Sequence, residues 1–183
     1  MIRSIFIMLL FSFSINAQAQ FNFKPSDEGS KIHFIIKNFG INTGGDLKGL
    51  SGSIEIDPYH LDKAVFNVSV EAKTIDTDNK MRDDHLRSGS YFDAEKFPLI
   101  TIRSTRINLP KDKKTQAYYF TGTLTMHGVT KNVSFPFTTS SKGKDQLFTG
   151  SFQINRSDFG IGSSGGVMGS TVKISLSVLA KKV

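Results

Sequence analysis

Apolar residues recur at every second position along much of this chain, and this pattern is compatible with few folds. Apolar and polar residues alternate in eight separate segments from Lys31 onward, which is typical of β-strands with one buried face. The clearest is segment 65–73, where Phe66, Val68 and Val70 alternate with polar residues. The other segments are 32–37, 53–56, 100–103, 118–126, 133–137, 148–154 and 172–180. The pattern predicts an all-β domain.

One segment between the third and fourth predicted strands breaks the alternation. Residues 77–89 offer Thr77 or Asp78 as an N-cap, contain no β-branched residue after Thr77, and end at Gly89. These features predict a short helix. A second irregular segment, 159–169, is rich in glycine and is expected to be a loop.

Eight antiparallel strands with one apolar face each can form a sandwich or close into a barrel. Closure removes exposed sheet edges, so we predict an eight-stranded antiparallel β-barrel with a short helical insertion. Such a barrel is filled by its own side chains or holds one small ligand. An outer-membrane barrel would place the apolar face outward, but the opposite face carries Glu71, Lys73, Arg103 and Lys173, which disfavours that alternative.

The N-terminus has the three parts of a secretory signal peptide. A basic Arg3 precedes an apolar run from Ile5 to Ile15, and Ala17-Gln18-Ala19 is a small-x-small cleavage site. The run is shorter than the roughly 20 residues that a membrane-spanning helix needs. We expect removal of residues 1–19 and a single domain over residues 20–183. The mature protein is expected to be soluble in a bacterial periplasm, without stable membrane insertion.

Composition excludes several classes of function. The chain has no cysteine, which rules out disulfide scaffolds, thiolate metal sites and cysteine nucleophiles. Its aromatic residues are 16 Phe and 4 Tyr without Trp, which suits an apolar interior. The formal charge is +7, but the basic pairs lie in turn-like segments or at the C-terminus, without interleaved aromatic residues. We therefore expect no nucleic-acid partner; the oligomeric state is open.

Catalytic and metal-binding patterns are weak. Residues 162–166 match the G-x-S-x-G pattern but lack its strand-turn-helix context. The four histidines, His33, His60, His85 and His127, form no H-x-x-x-H pair. Phosphate-binding and dinucleotide-binding glycine motifs are absent from the sequence. The sequence therefore predicts no catalytic residue, no metal and no cofactor.

Four motifs follow one another along the chain and together carry a family resemblance. They are TIDT at 74–77 with RDDHL at 82–86, the segment 92–98, GTLTMHGVTK at 122–131, and INRSDFGI at 154–161. In this order they resemble the YceI-like family of periplasmic lipid-binding proteins. The resemblance implies an eight-stranded, lipocalin-like barrel with a helical insertion. It also implies an extended amphiphilic lipid inside the barrel, such as a polyisoprenoid or a fatty-acid derivative.

An apolar ligand chain needs little directional chemistry, because each buried CH2 group contributes about 0.8 kcal/mol. The candidate ligand-binding residues are those on the apolar strand faces: Phe34, Ile36, Phe66, Val68, Val70, Ile102, Phe120, Leu124, Phe135, Phe152 and Ile174. Ordinary core packing is the alternative role for each of them. Gly122 and Gly150 could leave room for a ligand or let the sheet bend.

Polar motif residues have two possible roles at the barrel mouth. Arg82, Asp83 and His85 could hold a ligand head group, with Arg82 donating to a phosphate or carboxylate. Alternatively, they could pin the helix across the mouth, which is the role we favour. Arg156 and Asp158 are expected to form a structural pair at the rim.

The leading hypothesis is a soluble periplasmic carrier or reservoir, not an enzyme, which binds one amphiphile and releases it unchanged. A second hypothesis is an enzyme in which Asp83, Asp84 and His85 act as acid or base on a bound lipid at the barrel mouth. A third is a secreted interaction module with a solidly packed barrel, which predicts no ligand and no internal cavity.

Overall fold

The computed structural model describes residues 20–57, 60–109, 117–162 and 167–183. The predicted signal peptide and most of the G-x-S-x-G match lie outside these ranges. The strands and the helix are β1 Phe21–Asn38, β2 Ile41–Leu47, β3 Ser51–Ile56, β4 Val65–Glu71, α1 Lys80–Arg87, β5 Leu99–Asn108, β6 Tyr118–Met126, β7 Val129–Lys142, β8 Asp145–Asn155 and β9 Met168–Lys182. Short 3-10 helices span Leu61–Lys63, Ala72–Thr74 and Arg156–Phe159.

Eight of the nine strands in the described part of the chain form a closed antiparallel ring. The ring runs β1-β3-β4-β5-β6-β7-β8-β9, and β9 pairs with β1 to close it. These eight strands correspond one to one with the eight alternating segments of the sequence. The predicted eight-stranded antiparallel barrel with a short helix is therefore confirmed.

The ninth strand, β2, is an addition that the alternation does not reveal. It pairs only with the second half of β1, from Ile32↔Leu47 to Asn38↔Ile41, while β9 pairs with the other edge of β1. A Cβ atom on Gly45 of β2 would lie 2.6 Å from the Cζ atom of the Phe34 ring. The aromatic ring therefore requires glycine here, at the expense of a strand-like sequence pattern.

Two-residue turns join β1 to β2 and β6 to β7. Phe39 and Gly40 have φ values of 50° and 78°, and His127 and Gly128 have φ values of 50° and 73°. Positive φ at both central residues is the geometry of the type I′ turn that fits the twist of a hairpin.

Pairing between β7 and β8 covers only part of their lengths. β7 pairs with β6 from Val129 to Phe137, but its pairing with β8 begins at Phe137↔Gly150. Pro136 lies immediately before that point, in the part of β7 that has no partner on the β8 side. At such a position the missing N–H of proline is tolerated.

An aromatic cluster closes one end of the barrel. The Phe66 ring packs edge-to-face against Phe120, Phe137 and Phe148, with ring centroids 6.1, 5.6 and 5.3 Å apart. Phe23, Ile54, Ile107 and Ala180 are also buried in this cluster. These residues come from the starts of β1, β4, β6 and β8, the ends of β3, β5 and β9 and the middle of β7, so all eight strands of the ring contribute. The helix α1 follows β4 and lies at the other end.

Candidate functional site: an apolar cavity with one polar mouth

A cavity of about 250 Å³ occupies the barrel between the aromatic cluster and α1. Its volume is many times what one water molecule needs and is close to the lower range of ligand pockets, about 300 Å³. All eleven candidate ligand-binding residues named from the sequence line it. The cavity contradicts the solidly packed barrel of the third hypothesis. Ligand binding by the lining residues stays a prediction.

Three stacked aromatic rings form one wall of the cavity. Phe120 stacks on Phe135 with ring centroids 4.9 Å apart, and Phe135 stacks on Phe152 with ring centroids 4.5 Å apart. Phe135 belongs to β7 and Phe152 to β8, so their rings bridge the region in which these strands do not pair. The stack presents a smooth apolar surface to the interior.

Polar side chains gather at the α1 end of the cavity, which we term the mouth. Asn38, Thr43, Thr77, Arg82, His85, Tyr91 and Arg156 line the cavity there. Apart from Ser69, Thr149 and Gly150, the rest of the lining is phenylalanine, methionine and aliphatic residues. A ligand that matches this arrangement has one long apolar part and one polar end.

The side chain of Asn79 begins α1, where the sequence suggested Thr77 or Asp78. Its Oδ1 accepts a hydrogen bond from the backbone N–H of Arg82 at 3.0 Å. Thr77 is instead the partner of the buried Asp83, whose Oδ1 accepts from the Thr77 backbone N–H at 2.9 Å and from its hydroxyl at 2.5 Å. The predicted N-cap was therefore wrong by one or two residues.

Arg82 and Asp83 hold the same residue of the preceding loop. The Arg82 Nε donates to the Thr77 hydroxyl and its Nη2 donates to the Thr77 carbonyl, both at 2.7 Å. Among the described residues, the Arg82 Nη1 has no hydrogen-bond partner, and the side chain lines the mouth. These contacts tie the first turn of α1 to the loop that precedes it, and the role of pinning the helix across the mouth stays a prediction. The head-group role of Arg82 stays a prediction.

His85 has a different environment from its two helical neighbours. Its ring is exposed and packs edge-on against Tyr91 with centroids 4.7 Å apart, and both residues line the mouth. Asp84, by contrast, accepts hydrogen bonds from Lys80 at 2.7 Å and Arg87 at 3.1 Å on the outside of the helix. The hydrogen bond from Lys80 holds the pKa of Asp84 below its usual value.

These contacts bear on the acid–base hypothesis for the mouth. Asp83 accepts two hydrogen bonds from Thr77 in a buried position, and Asp84 forms two ion pairs within α1, with Lys80 and Arg87, so both carboxylates are engaged in structural contacts. Neither residue lines the cavity. Of the three residues proposed for catalysis, only His85 does so.

Arg156 is buried and hydrogen-bonded entirely to backbone. It is 4% exposed and donates to the carbonyls of Ile161 at 2.7 Å, Gly169 at 2.9 Å and Met168 at 3.2 Å. The expected pairing with Asp158 was wrong: that residue is exposed and forms no ion pair with Arg156 in the described ranges. Arg156 instead ties the 3-10 helix 156–159 to the start of β9. The acceptors are backbone groups, which leave no pattern in the sequence.

The two glycines singled out from the sequence have different surroundings. A Cβ atom on Gly122 would lie 2.0 Å from the Arg103 carbonyl oxygen, beside the bulge between Ser104 and Arg106, so the strands approach closely there. Gly122 does not line the cavity, whereas Gly150 does. The bend was one of the two roles considered for Gly122, and it is the role that the geometry supports.

The histidines of the chain lie apart from one another. His33 contacts Asp46, His60 contacts Asp57, and His127 contacts the Phe159 carbonyl. Within the described ranges, no group of three or more acidic or histidine side chains is placed to hold a metal ion. Within the same ranges, no helix has the length and apolar character to cross a bilayer.

Comparison with known proteins agrees with this geometry. A UPF0312 protein of Pseudomonas aeruginosa is 31% identical over 166 residues, which cover 86% of this chain and 85% of that protein. The crystal structure of Burkholderia cenocepacia BcnA superposes with a TM-score of 0.75 at 26% identity, covering 83% of this chain and 96% of BcnA.

A polyisoprenoid binding domain from Saccharophagus degradans shares the fold, with a TM-score of 0.64 at 13% identity and coverage of 87% of this chain and 97% of that domain. The family model for the YceI-like domain matches residues 22–180, nearly all of the part that forms the barrel. The chain therefore belongs to the YceI-like family.

Proposed function

We propose that this protein is a carrier or reservoir that holds the apolar chain of one amphiphilic lipid in the barrel and releases it without covalent change. The observation that carries the proposal is the apolar cavity whose polar side chains gather at one end. An extended lipid would lie with its chain toward Phe66 and Phe137 and its head group near Arg82 and His85. This orientation buries the apolar part and leaves the polar part at the mouth.

Burial of the chain supplies enough free energy for such a role. On the order of ten buried CH2 groups contribute about 8 kcal/mol, which corresponds to a dissociation constant near 1 μM before the entropy of ordering the ligand is subtracted. Micromolar or weaker binding, as this estimate gives, is compatible with uptake and release without a chemical step. No residue at the mouth needs to form a bond to the lipid.

The comparisons support the ligand class. The Saccharophagus degradans domain is described as polyisoprenoid binding, and its fold is that of this chain. A prenyl or an acyl chain fits the smooth wall of stacked phenylalanines equally well, so both belong to the proposal. The signal-peptide pattern of residues 1–19 supports a secreted, periplasmic location.

Native mass spectrometry of protein exported to a bacterial periplasm and purified without detergent tests the proposal. We expect a one-to-one adduct that solvent extraction releases as a prenyl or acyl lipid. Stripped protein should regain a one-to-one adduct with palmitic acid or geranylgeraniol. A protein that carries no lipid and gains none from either probe would contradict the carrier role.

A matched pair of variants locates the ligand inside the barrel. Ile174 lines the cavity, whereas the next residue, Ser175, points to the outside of β9. Ile174→Trp should abolish the adduct because its ring fills the cavity, and Ser175→Trp should leave it unchanged. Circular dichroism of both variants checks that the barrel is intact. Equal lipid binding by the two variants would place the ligand elsewhere.

A further inference from the structure

The three most exposed large apolar side chains in the described part of the protein lie at the mouth. They are Met81, Phe39 and Ile41, which are 84%, 72% and 71% exposed. Phe39 is the first residue of the turn between β1 and β2, Ile41 begins β2, and Met81 precedes Arg82 in α1. At the closed end, the exposed large apolar residues include the C-terminal Val183 at 68%, Leu109 at 51% and Tyr119 at 46%.

Phe39 is a costly residue for its position. Its φ of 50° places a bulky aromatic side chain in the left-handed region, where asparagine or glycine is favoured. Type I′ turns prefer Asn-Gly, and here the pair is Phe39-Gly40. Packing of the ring does not offset this conformational cost, because the ring is exposed to solvent. An unfavourable residue that contributes nothing to the fold indicates a contact outside the fold.

The turn is continuous with the opening of the cavity. Asn38 precedes Phe39 and lines the mouth, as does Thr43 of β2. The Phe39 backbone N–H donates to the carbonyl of Val167, which is also exposed, so the apolar tip extends to this residue, directly before β9. Any surface that the tip contacts is therefore next to the point where a ligand enters.

Positive charge lies beside the tip on the outer face of the barrel. Lys37 of β1 and Lys173 of β9 are exposed on adjacent strands, and neither forms an ion pair with a described residue. The whole chain carries a formal charge of +7. Apolar residues at a tip with unpaired lysines behind them suit the interface of a bilayer that contains anionic lipid.

We propose that the tip formed by Phe39, Ile41 and Val167 is a membrane-docking site, which inserts peripherally into an anionic bilayer and places the cavity mouth against the lipid. This inference rests on the proposed function, since the bilayer is then the source or destination of the carried amphiphile. Docking requires no spanning segment. It uses a few side chains that are exposed before contact.

The absence of tryptophan from the natural sequence allows a direct test. The variant Phe39→Trp places a single fluorophore at the tip, and Tyr119→Trp places one at the closed end as a matched control. With vesicles of phosphatidylcholine and phosphatidylglycerol, we expect a blue shift of the emission and quenching by brominated lipid for the first variant only. The shift should weaken at high salt and with pure phosphatidylcholine.

A second variant separates docking from folding. Phe39→Asn should raise the thermal stability, because asparagine suits the turn, and yet reduce affinity for the anionic vesicles by about tenfold or more. Unchanged vesicle affinity in Phe39→Asn, or equal blue shifts at both tryptophans, would overturn the proposal. An emission shift of Phe39→Trp that depends on protein concentration in the absence of vesicles would show that the tip contacts a second copy of the protein. That result would also overturn the proposal.

These outcomes are distinct from those that test the carrier role. The lipid adduct is measured by mass, whereas docking is measured by fluorescence on vesicles. A protein that docks but carries no lipid would contradict the proposed function alone. A protein that carries lipid but shows no vesicle-dependent shift would contradict the docking site alone.

Discussion

Replacing Arg156 by methionine should be among the most destabilising single changes near the mouth. The side chain is 4% exposed and donates to three backbone carbonyls. Methionine has a similar length but no donor, so Arg156→Met leaves the carbonyls of Ile161, Met168 and Gly169 without this partner. Water has little access to replace the lost bonds, because the site is buried.

The magnitude follows from the number of bonds and from burial. A hydrogen bond to a charged group contributes about 1.5–3 kcal/mol. Removing the guanidinium also removes the cost of burying its charge, which offsets part of the loss. We therefore expect the free energy of unfolding to fall by about 3–5 kcal/mol, a large part of the roughly 5–15 kcal/mol typical of a domain.

Urea unfolding followed by circular dichroism measures this change, provided that the m-value is unchanged. Arg87→Met is the matched control. Arg87 also forms three contacts, with the carbonyls of Lys73 and Ile75 and with Asp84, but its side chain is 34% exposed. Water can replace these contacts, so we expect a loss of about 1 kcal/mol or less.

The comparison of the two arginine variants can refute the reasoning. Equal losses would show that the number of bonds, and not burial, determines the contribution. A fall of less than about 1 kcal/mol in the unfolding free energy of Arg156→Met would show that the desolvation cost of the buried guanidinium is as large as the stabilisation from its hydrogen bonds.

Three further predictions concern other parts of the barrel. Gly122→Ala should destabilise the protein by about 1–3 kcal/mol in urea, because its Cβ would meet the Arg103 carbonyl oxygen at 2.0 Å; an unchanged midpoint would contradict the close approach. His85→Ala should keep most of the palmitic acid binding, and the lipid extracted from it should match that of the parent protein; a modified lipid from the parent alone would indicate catalysis. The hydrogen bond from Lys181 lowers the pKa of Glu28 and raises that of Lys181. The Glu28–Lys181 ion pair therefore contributes to stability at neutral pH. This contribution is lost as pH falls through the lowered pKa of Glu28, and it is lost as pH rises through the raised pKa of Lys181. The stability difference between the parent and Glu28→Gln should vanish below the pKa of Glu28 in a thermal-unfolding series; a difference that persists in acid would contradict the ion-pair explanation.

Strands with one buried face could be predicted from the sequence because their apolar residues recur every second position. All eight strands of the ring have this pattern, and the eleven candidate residues on their apolar faces line the cavity. β2 could not be predicted, because Gly44 and Gly45 leave it without an apolar face. Its place is determined by the Phe34 ring, which needs the space beside Gly45.

Contacts to backbone groups are the part of the mouth that sequence cannot reveal. Arg156 and Asp158 look like an ion pair because they are oppositely charged and two residues apart. In the structure the arginine turns inward to carbonyls up to 13 residues away, and the aspartate stays in solvent. Thr77 was likewise a plausible N-cap, but its hydroxyl and carbonyl serve as the anchor for Arg82.

Ring closure by the first and last strands has a consequence for how the chain can fold. Lys181 of β9 bonds to Glu28, which lies 153 residues earlier, and the Val183 N–H donates to the Asn22 carbonyl. No partial chain that lacks β9 can close the barrel, so β1 and β8 keep unpaired edges until synthesis is almost complete. Pairing of distant segments slows folding and leaves such edges open to association. Because β1 and β9 are neighbours in the ring, a circular permutation that links them directly would turn the last closure step into a local hairpin.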